Sequence, residues 1–200
     1  MPIIPRDRVD EVVQALLDGN VVAIPTDTVY GLAATLDQSD AVRRLAELKG
    51  RAADQPIAVL LATAEDATPH LADANALETV TRFWPGALTA IVRVKQGFAD
   101  VVTTDAGTLG LRVPDDALAR SVIRACGGAL AVTSANFHGE EPARSAQYVA
   151  EAFGESMLVL DGGTRNGGVA STVVDLSVEP PQLLREGGVS RAELGLSGAG

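Results

Sequence analysis

The side chains best suited to bind or transform a ligand follow apolar segments of strand length. Residues 25–32 (PTDTVYGL) bring two hydroxyls, a carboxylate and a phenol together, and residues 133–136 (TSAN) place a serine beside an asparagine. Ser171 and Thr172 follow a glycine-rich run at 161–168 and instead precede a predicted strand. Because ligands of α/β proteins bind at the carboxyl ends of strands, these clusters predict a polar groove. Each cluster taken alone is also consistent with an ordinary polar turn.

Four cations accompany these hydroxyls along the chain. Lys49 and Arg51 flank a glycine at the end of a predicted helix, while Arg112 and Arg185 stand at the ends of predicted strands. Lysine supplies a point charge and arginine a bidentate fork, and both suit phosphate or carboxylate groups. Lys49 and Arg51 could instead be cations that face the dipole of a helix C-terminus. The sole tryptophan, Trp84, is expected to form part of the groove wall.

Several common catalytic devices are missing from the sequence. It contains no GxxxxGK[ST], GxSxG, HExxH or GxGxxG motif. Its single cysteine, Cys126, excludes an intramolecular disulfide and a zinc site built on several thiolates. Cations and hydroxyls without a nucleophilic pair indicate catalysis by positioning and charge neutralisation, as in transfer at phosphorus. The predicted substrate is a polyanion, most simply a nucleotide with its Mg²⁺.

The order of apolar segments predicts an α/β fold. Helices are expected near 9–17, 39–48, 64–72, 75–83, 115–126 and 144–153. Strands are expected near 21–24, 57–61, 88–94, 109–113, 129–133, 157–160, 172–176 and 182–184. Because the later connections are short, we expect a twisted, mostly mixed sheet with helices packed around it rather than a purely parallel one.

Length and charge narrow the class of protein further. The 200 residues suit a single catalytic domain over 1–190, followed by a Gly- and Ser-rich tail at 191–200 that is expected to be flexible. A net charge of −10 argues against tight binding of a nucleic-acid backbone, although a local positive pocket for a small anion is compatible with it. No apolar run approaches ~20 residues and the N-terminus lacks the pattern of a signal peptide, so we expect a cytoplasmic protein.

Taken in order, the polar segments resemble the YrdC-like family, the threonylcarbamoyl-AMP synthases. The matching segments are PTDTVYGL at 25–32, KGR at 49–51, WPGALT at 84–89, LRVP at 111–114, TSAN at 133–136, STVVD at 171–175 and LLREGG at 183–188. One such segment is a weak signal, whereas the ordered set is specific and spans nearly the whole chain. The resemblance implies the short, single-domain form of the family, with a twisted mixed sheet around a large concave positive cavity.

The resemblance also implies an activity and a set of site residues. The enzyme would be a nucleotidyltransferase that makes threonylcarbamoyl-AMP and pyrophosphate from L-threonine, bicarbonate and ATP, with Mg²⁺ accompanying ATP and no metal held by the protein. Downstream transfer proteins would use the product to modify tRNA next to the anticodon. By position, the threonine contacts would be Thr28, Arg112 and Ser171. The ATP contacts would be Lys49, Arg51, Gln55, Thr108, Ser134, Asn136 and Arg185, with Lys49 and Arg51 as the catalytic cations.

Three departures from the family pattern are visible. Gln55 stands where members often have Asn, and Leu60 stands where some longer members place a His near threonine. After Asn136 the chain reads Phe-His-Gly at 137–139, where many members have a Ser-Gly pair. The sequence does not identify a general base for the amine proton, and Asp27 is a weak candidate.

Other functions remain open at this stage. An RNA-binding module is one, although the net charge and the two lysines argue against tight binding of RNA. A paralogue with a different acyl-adenylate chemistry is another. The carbamoyl-transfer enzyme of hydrogenase maturation contains a related domain, but its cysteine-rich zinc modules are excluded by one cysteine. Binding of tRNA, if any, is expected to be weak, and no membrane association is expected.

Overall fold

A ten-stranded sheet forms the centre of the computed structural model, which describes residues 3–48, 57–137, 139–154, 157–166 and 169–196. The helices are α1 (Val9–Leu17), α2 (Ser39–Leu48), α3 (Ala117–Ala125) and α4 (Ala146–Phe153). The strands are β1 (Ile3–Ile4), β2 (Val22–Pro25), β3 (Tyr30–Thr35), β4 (Ala58–Leu61), β5 (Leu88–Arg93), β6 (Thr108–Arg112), β7 (Ala129–Ser134), β8 (Leu158–Leu160), β9 (Thr172–Asp175) and β10 (Gln182–Arg185).

The sheet is mixed, as predicted. Its strand order is β1-β8-β2-β3-β7-β4-β6-β5-β9-β10. The β1–β8, β2–β8, β4–β6 and β5–β9 pairs are parallel, whereas β2–β3, β3–β7, β4–β7, β5–β6 and β9–β10 are antiparallel. Strands far apart in sequence therefore become neighbours, and the carboxyl end of β6 comes beside the loops that follow β2 and precede β9.

Helices cover both faces of the sheet because each carries one apolar stripe. In α1, Val12 and Leu16 are four residues apart and fully buried, and they pack in the same core cluster as Val122 and Ile123 of α3. Helices α2 and α4 bury their apolar residues in the second cluster, on the other face. Asp116 and Ser145 cap α3 and α4 by accepting hydrogen bonds from backbone amides in the first turn.

Two predicted helices, near 64–72 and 75–83, are wrong. The chain forms a 3₁₀ turn at Glu65–His70, then irregular turns, then a second short 3₁₀ turn at Thr81–Phe83. Pro69 lacks an amide hydrogen, and the Asp73 carboxylate accepts from the amide of Asn75, which favours a turn over a continuing helix. The apolar residues of this stretch still reach the core, because Leu71, Leu77 and Val80 are buried.

Strands β1 and β3 are missing from the sequence prediction. Strand β1 has only two residues. Strand β3 reads YGLAAT, and its glycine and alanines have low strand propensity, yet every residue is buried between β2 and β7. A methyl group at Gly31 would come within 2.6 Å of Val132 Cγ1, so the small residue is what lets the two strands pack.

Trp84 does not form a groove wall. It is 9% exposed and packs in the core, and its Nε1 donates to the Leu88 carbonyl at 2.7 Å.

Near the C-terminus, Leu194 and Leu196 contact the core, and Arg82 Nη2 donates to the Glu193 carbonyl at 2.8 Å. The predicted domain boundary at 190 and the flexible tail stay predictions. Within the described ranges, the helices are too short or too polar to cross a membrane.

Candidate active site

A cavity of about 500 Å³ opens along one part of the sheet. Residues of β3, β7, β4, β6, β5, β9 and β10 line it, and these strands are consecutive neighbours in the sheet. Neighbouring strands lie about 4.8 Å apart, so this row can enclose one cavity only where the sheet is curved. Arg112 and Arg185 are the cations of the described lining, and Glu141 is its carboxylate. Lys49 and Arg51 lie outside the described residues, and the predicted positive charge of the whole cavity stays a prediction.

The structure brings together most of the residues named from the sequence. Cavity-lining residues include Thr28, Thr108, Arg112, Ser134, Ser171 and Arg185. Asn136 lies beside the wall and is 6% exposed. Ser134 Oγ donates to Asn136 Oδ1 at 2.7 Å, and Asn136 Nδ2 donates to the carbonyls of Phe137 and Glu140. Asn136 thus holds both Ser134 and the start of the next loop. Gln55, like the two cations of the KGR segment, falls outside the described residues.

The PTDTVYGL segment is a tight connection between β2 and β3. Pro25 and Tyr30 are paired across the antiparallel ladder. Thr26 Oγ1 donates to the Val29 carbonyl at 2.6 Å and accepts from the Thr28 amide at 3.2 Å. The turn interpretation and the binding interpretation of this segment describe the same geometry, because the turn places Thr28 in the lining of the cavity.

Arg112 is a buried cation of the site. It ends β6 and is 6% exposed, and its Nε donates to the Gly86 carbonyl at 2.9 Å. Its Nη2 donates to Asp27 Oδ1 at 2.7 Å, and its Nη1 lies 3.3 Å from Thr28 Oγ1. Burial lowers the pKa of Arg112, and the Asp27 carboxylate opposes that shift. Asp27 thus lies against the guanidinium, where its contact orients Arg112, and its candidate role as a general base stays a prediction.

Arg185 reaches the cavity because β10 contains a bulge. Leu183 lies opposite Val174, but Arg185 lies opposite Val173, so the register shifts by one residue between them. Val174 is buried in the core, whereas Val173 lines the cavity. With regular alternation Arg185 would share the face of Leu183 and Val174, and the bulge turns it to the cavity face instead.

Ser171 connects Arg185 to the wall of the cavity. Arg185 Nε donates to the Ser171 carbonyl at 3.0 Å, and its Nη2 lies 3.3 Å from Ser171 Oγ. Partial burial of its guanidinium lowers the pKa of Arg185, and the nearby positive charge of Arg112 lowers it further. The two guanidinium groups therefore repel one another, and an anion placed between them would remove that repulsion.

Thr172 and Gly187 fix the loop that follows Arg185. Thr172 Oγ1 accepts from the amides of Gly187 and Val189 and donates to the Val189 carbonyl. A Cβ at Gly187 would lie 2.1 Å from the Ala170 carbonyl oxygen, so only glycine allows this close approach.

The hydroxyl of Tyr30, one of the polar groups named from the sequence, makes its hydrogen bonds with the backbone of the glycine-rich run. Its hydroxyl accepts from the Gly162 amide at 3.0 Å and donates to the Gly163 carbonyl at 2.9 Å. Burial raises the pKa of Tyr30, while the Gly162 bond partly offsets the shift. Tyr30 therefore ties the start of β3 to the glycine-rich run.

Two lining residues are not among the site residues assigned from the sequence. Leu60 pairs with Arg112 across β4 and β6, is 4% exposed and gives the cavity an apolar wall. Thr89 places its Oγ1 2.9 Å from Ser171 Oγ. Its position in the WPGALT segment was an available signal. Across the described ranges, no group of three or more His, Cys, Asp or Glu residues is arranged to hold a metal ion.

Comparison with known proteins gives consistent matches. The Sua5/YciO/YrdC family model, described as telomere recombination, matches residues 14–187. A Bacillus subtilis protein named threonylcarbamoyl-AMP synthase is 37% identical over 193 residues, which cover 90% of this chain and 53% of that protein. A Chromohalobacter salexigens protein of the same name is 35% identical over 172 residues, which cover 85% of this chain and 93% of that protein.

A solved structure matches at the level of the fold and the sequence together. The crystal structure of Pyrococcus abyssi Sua5 complexed with L-threonine superposes with a TM-score of 0.90 at 34% identity. The match covers 97% of this chain and 60% of that one. The chain thus spans little more than half the length of the Bacillus and Pyrococcus proteins, but nearly all of the Chromohalobacter one.

Proposed function

Because the chain belongs to the Sua5/YciO/YrdC family, we propose that it synthesises threonylcarbamoyl-AMP. The substrates are L-threonine, bicarbonate and ATP, and the products are threonylcarbamoyl-adenylate and pyrophosphate. The adenylate would serve the threonylcarbamoyladenosine modification of tRNA next to the anticodon, through downstream transfer proteins. The proposed reaction consumes ATP, and its product would be used to modify tRNA. Both points support the expectation of a cytoplasmic enzyme.

The observation that carries the proposal is the shared cavity of Arg112 and Arg185. Arg112 is fixed by Asp27 and the Gly86 carbonyl, and Arg185 is fixed by Ser171. Two cations that repel one another while held in place suit a site for two anionic substrates. A carboxylate beside Arg112 and a phosphate beside Arg185 would otherwise repel each other.

The threonine end of the proposed site is the buried one. Thr28, Arg112 and Ser171 are 5%, 6% and 7% exposed, and all line the cavity. A guanidinium with a dry environment binds a carboxylate more strongly than one in water. The L-threonine complex of the Pyrococcus relative supports this choice of amino acid. Leu60, next to Arg112, would face the apolar part of the amino acid.

The ATP end of the proposed site is more open. Thr108 and Ser134 are partly exposed and Arg185 is exposed, as suits a triphosphate that enters from solvent. ATP is expected to bind as its Mg²⁺ complex. Lys49, Arg51, Gln55 and Asn136 complete the set that we propose for ATP, with Lys49 and Arg51 neutralising phosphate charge.

The proposed chemistry balances without a covalent enzyme intermediate. The threonine amine and bicarbonate give N-carboxy-threonine and water. A carbamate oxygen then attacks the α-phosphorus of ATP, the bond from that phosphorus to the bridging oxygen breaks, and pyrophosphate leaves. The cations lower the barrier by holding both anions in line and by neutralising the charge of the leaving group.

The test is pyrophosphate release from ATP, with each substrate omitted in turn. We expect release to require both L-threonine and bicarbonate. Equal release without threonine, or with serine or alanine in its place, would contradict the assignment. Filter binding with tRNA at two salt concentrations tests the RNA-binding alternative, for which a nanomolar dissociation constant at physiological salt would be needed, since non-specific binding is typically ~10⁻⁴–10⁻⁶ M.

A further inference from the structure

Thr89 is a buried threonine of β5 whose surroundings fix its side chain. It is 8% exposed and lines the cavity. A methyl group at Gly110, on the neighbouring β6, would lie 3.3 Å from Thr89 Cγ2, so the threonine methyl occupies the space that this glycine leaves. The hydroxyl lies 2.9 Å from Ser171 Oγ. Thr89 therefore fills a gap with one branch and makes a hydrogen bond with the other.

The hydrogen bonds of this hydroxyl pair can be counted. Ser171 Oγ has one hydrogen and two lone pairs, and Arg185 Nη2, at 3.3 Å, donates to one lone pair. If Ser171 donates to Thr89, the hydrogen of Thr89 is left over. If Thr89 donates to Ser171, the hydrogen of Ser171 is left over. Within the described part of the chain neither hydroxyl has a further partner, so either arrangement leaves one hydrogen for the cavity.

The location of this hydrogen indicates which substrate atom would accept a hydrogen bond from it. Ser171 belongs to the proposed threonine end, and Arg185, which contacts it, belongs to the proposed ATP end. The pair therefore lies where the two substrates would join. Because Ser171 belongs to the threonine end, the oxygen expected there is an anionic oxygen of the threonine-derived substrate, next to the phosphate at Arg185.

We infer that Thr89 is a positioning residue, which through Ser171 directs a single hydrogen at an anionic oxygen of the threonine-derived substrate beside Arg185. In this arrangement Thr89 donates to Ser171 Oγ, so the hydrogen that remains is that of Ser171, the residue of the proposed threonine end. This inference rests on the proposed function.

The experiment compares Thr89→Val, Thr89→Ser, Ser171→Ala and the double variant Thr89→Val with Ser171→Ala in the pyrophosphate assay. Thr89→Val keeps the shape and removes the hydroxyl, so we expect a rise of about 2- to 12-fold in KM for L-threonine, the effect of one net hydrogen bond. Thr89→Ser keeps the hydroxyl and should stay within about twofold of the wild type. The double variant should raise KM for L-threonine no more than the more damaging of the two single variants does, because the two hydroxyls act as a unit.

The matched control is Thr35→Val, another buried threonine on the same sheet. Thr35 is 3% exposed, and its hydroxyl donates to the Leu16 carbonyl away from the cavity. Its loss can lower the melting temperature but should leave KM for L-threonine unchanged. This control separates a general effect of a buried hydroxyl from an effect on the substrate.

Three results would overturn the inference while the wild type remains active. They are an unchanged KM for L-threonine in Thr89→Val, an equal defect in Thr89→Ser, and effects of the two single variants that multiply in the double variant. Wild-type protein that releases no threonine-dependent pyrophosphate would refute the proposed function itself, and the inference with it.

Discussion

Asp27→Ala is expected to destabilise the protein by about 3 kcal/mol, although the side chain belongs to a turn. Asp27 Oδ1 lies 2.7 Å from Arg112 Nη2, and the two side chains are only 15% and 8% exposed. Removal of one partner from a buried ion pair costs ~3–5 kcal/mol, because the other charge stays buried without compensation. Arg112 would keep its contacts with Gly86 and Thr28, so the lower end of that range applies. For a chain of this length, such a loss lowers Tm by roughly 6–12 °C.

Two further variants separate charge from shape. Asp27→Asn keeps an oxygen opposite Arg112 but loses the negative charge, and we expect about half of the cost, since a charged hydrogen bond contributes roughly twice as much as a neutral one. Asp115→Ala is the matched control. Asp115 pairs with Arg120 at 3.5 Å and is 69% exposed, so its loss should cost less than ~1 kcal/mol.

Thermal and urea unfolding of the three variants measure these costs directly. In Asp27→Ala, the unpaired Arg112 lies near Arg185, so sulfate should raise Tm more in this variant than in the wild type. KM for L-threonine should also rise, because Arg112 loses the contact that orients it. A Tm for Asp27→Ala within about 2 °C of the Asp115→Ala value would refute the reasoning, since the buried pair would then act like a surface pair.

Three other perturbations have definite expected outcomes. Gly187→Ala would place a methyl 2.1 Å from the Ala170 oxygen, so we expect the free energy of unfolding to fall by about 1–3 kcal/mol and pyrophosphate release to decrease. Normal activity of this variant would contradict the reasoning. Burial raises the pKa of the Cys126 thiol from 9.0 to about 11, so iodoacetamide at pH 8 should alkylate it about 100-fold more slowly than a free thiol, and equal rates would contradict that burial. Lys49→Ala and Arg51→Ala should each lower kcat/KM about 10- to 100-fold with little change in Tm, whereas near-normal turnover of the double variant would return both residues to a structural role.

The parts of the fold that the sequence predicts well are those with strong apolar patterns. Helix α1 and strands β5 and β6 lie where the spacing of apolar residues places them. Strand β3 was missed because its buried face is made of glycine and alanine, whose place in the sheet is decided by packing between β2 and β7 rather than by propensity. The helices predicted over 64–83 failed because turn chemistry at Pro69 and Asp73 interrupts an otherwise helical spacing.

In the candidate site, the sequence predicts which residues take part but not which partners they contact. Position at strand ends and the order of the segments predict four of the site residues, and the structure brings all four into one cavity. These residues are Thr28, Arg112, Ser171 and Arg185. Their contacts could not be found that way. Asp27 meets Arg112 across 85 residues of sequence, and Thr89 meets Ser171 across 82. Nothing local in the chain encodes such pairs, since strand order creates them.

The bulge in β10 makes this strand tolerant of one particular shortening. Leu184 is the additional residue between Leu183 and Arg185, and its side chain is 56% exposed. Deletion of a residue inside a strand normally turns every following side chain to the opposite face. Here, loss of Leu184 would leave Leu183 opposite Val174 and Arg185 opposite Val173, as they already are. A variant that lacks Leu184 should therefore still direct Arg185 into the cavity.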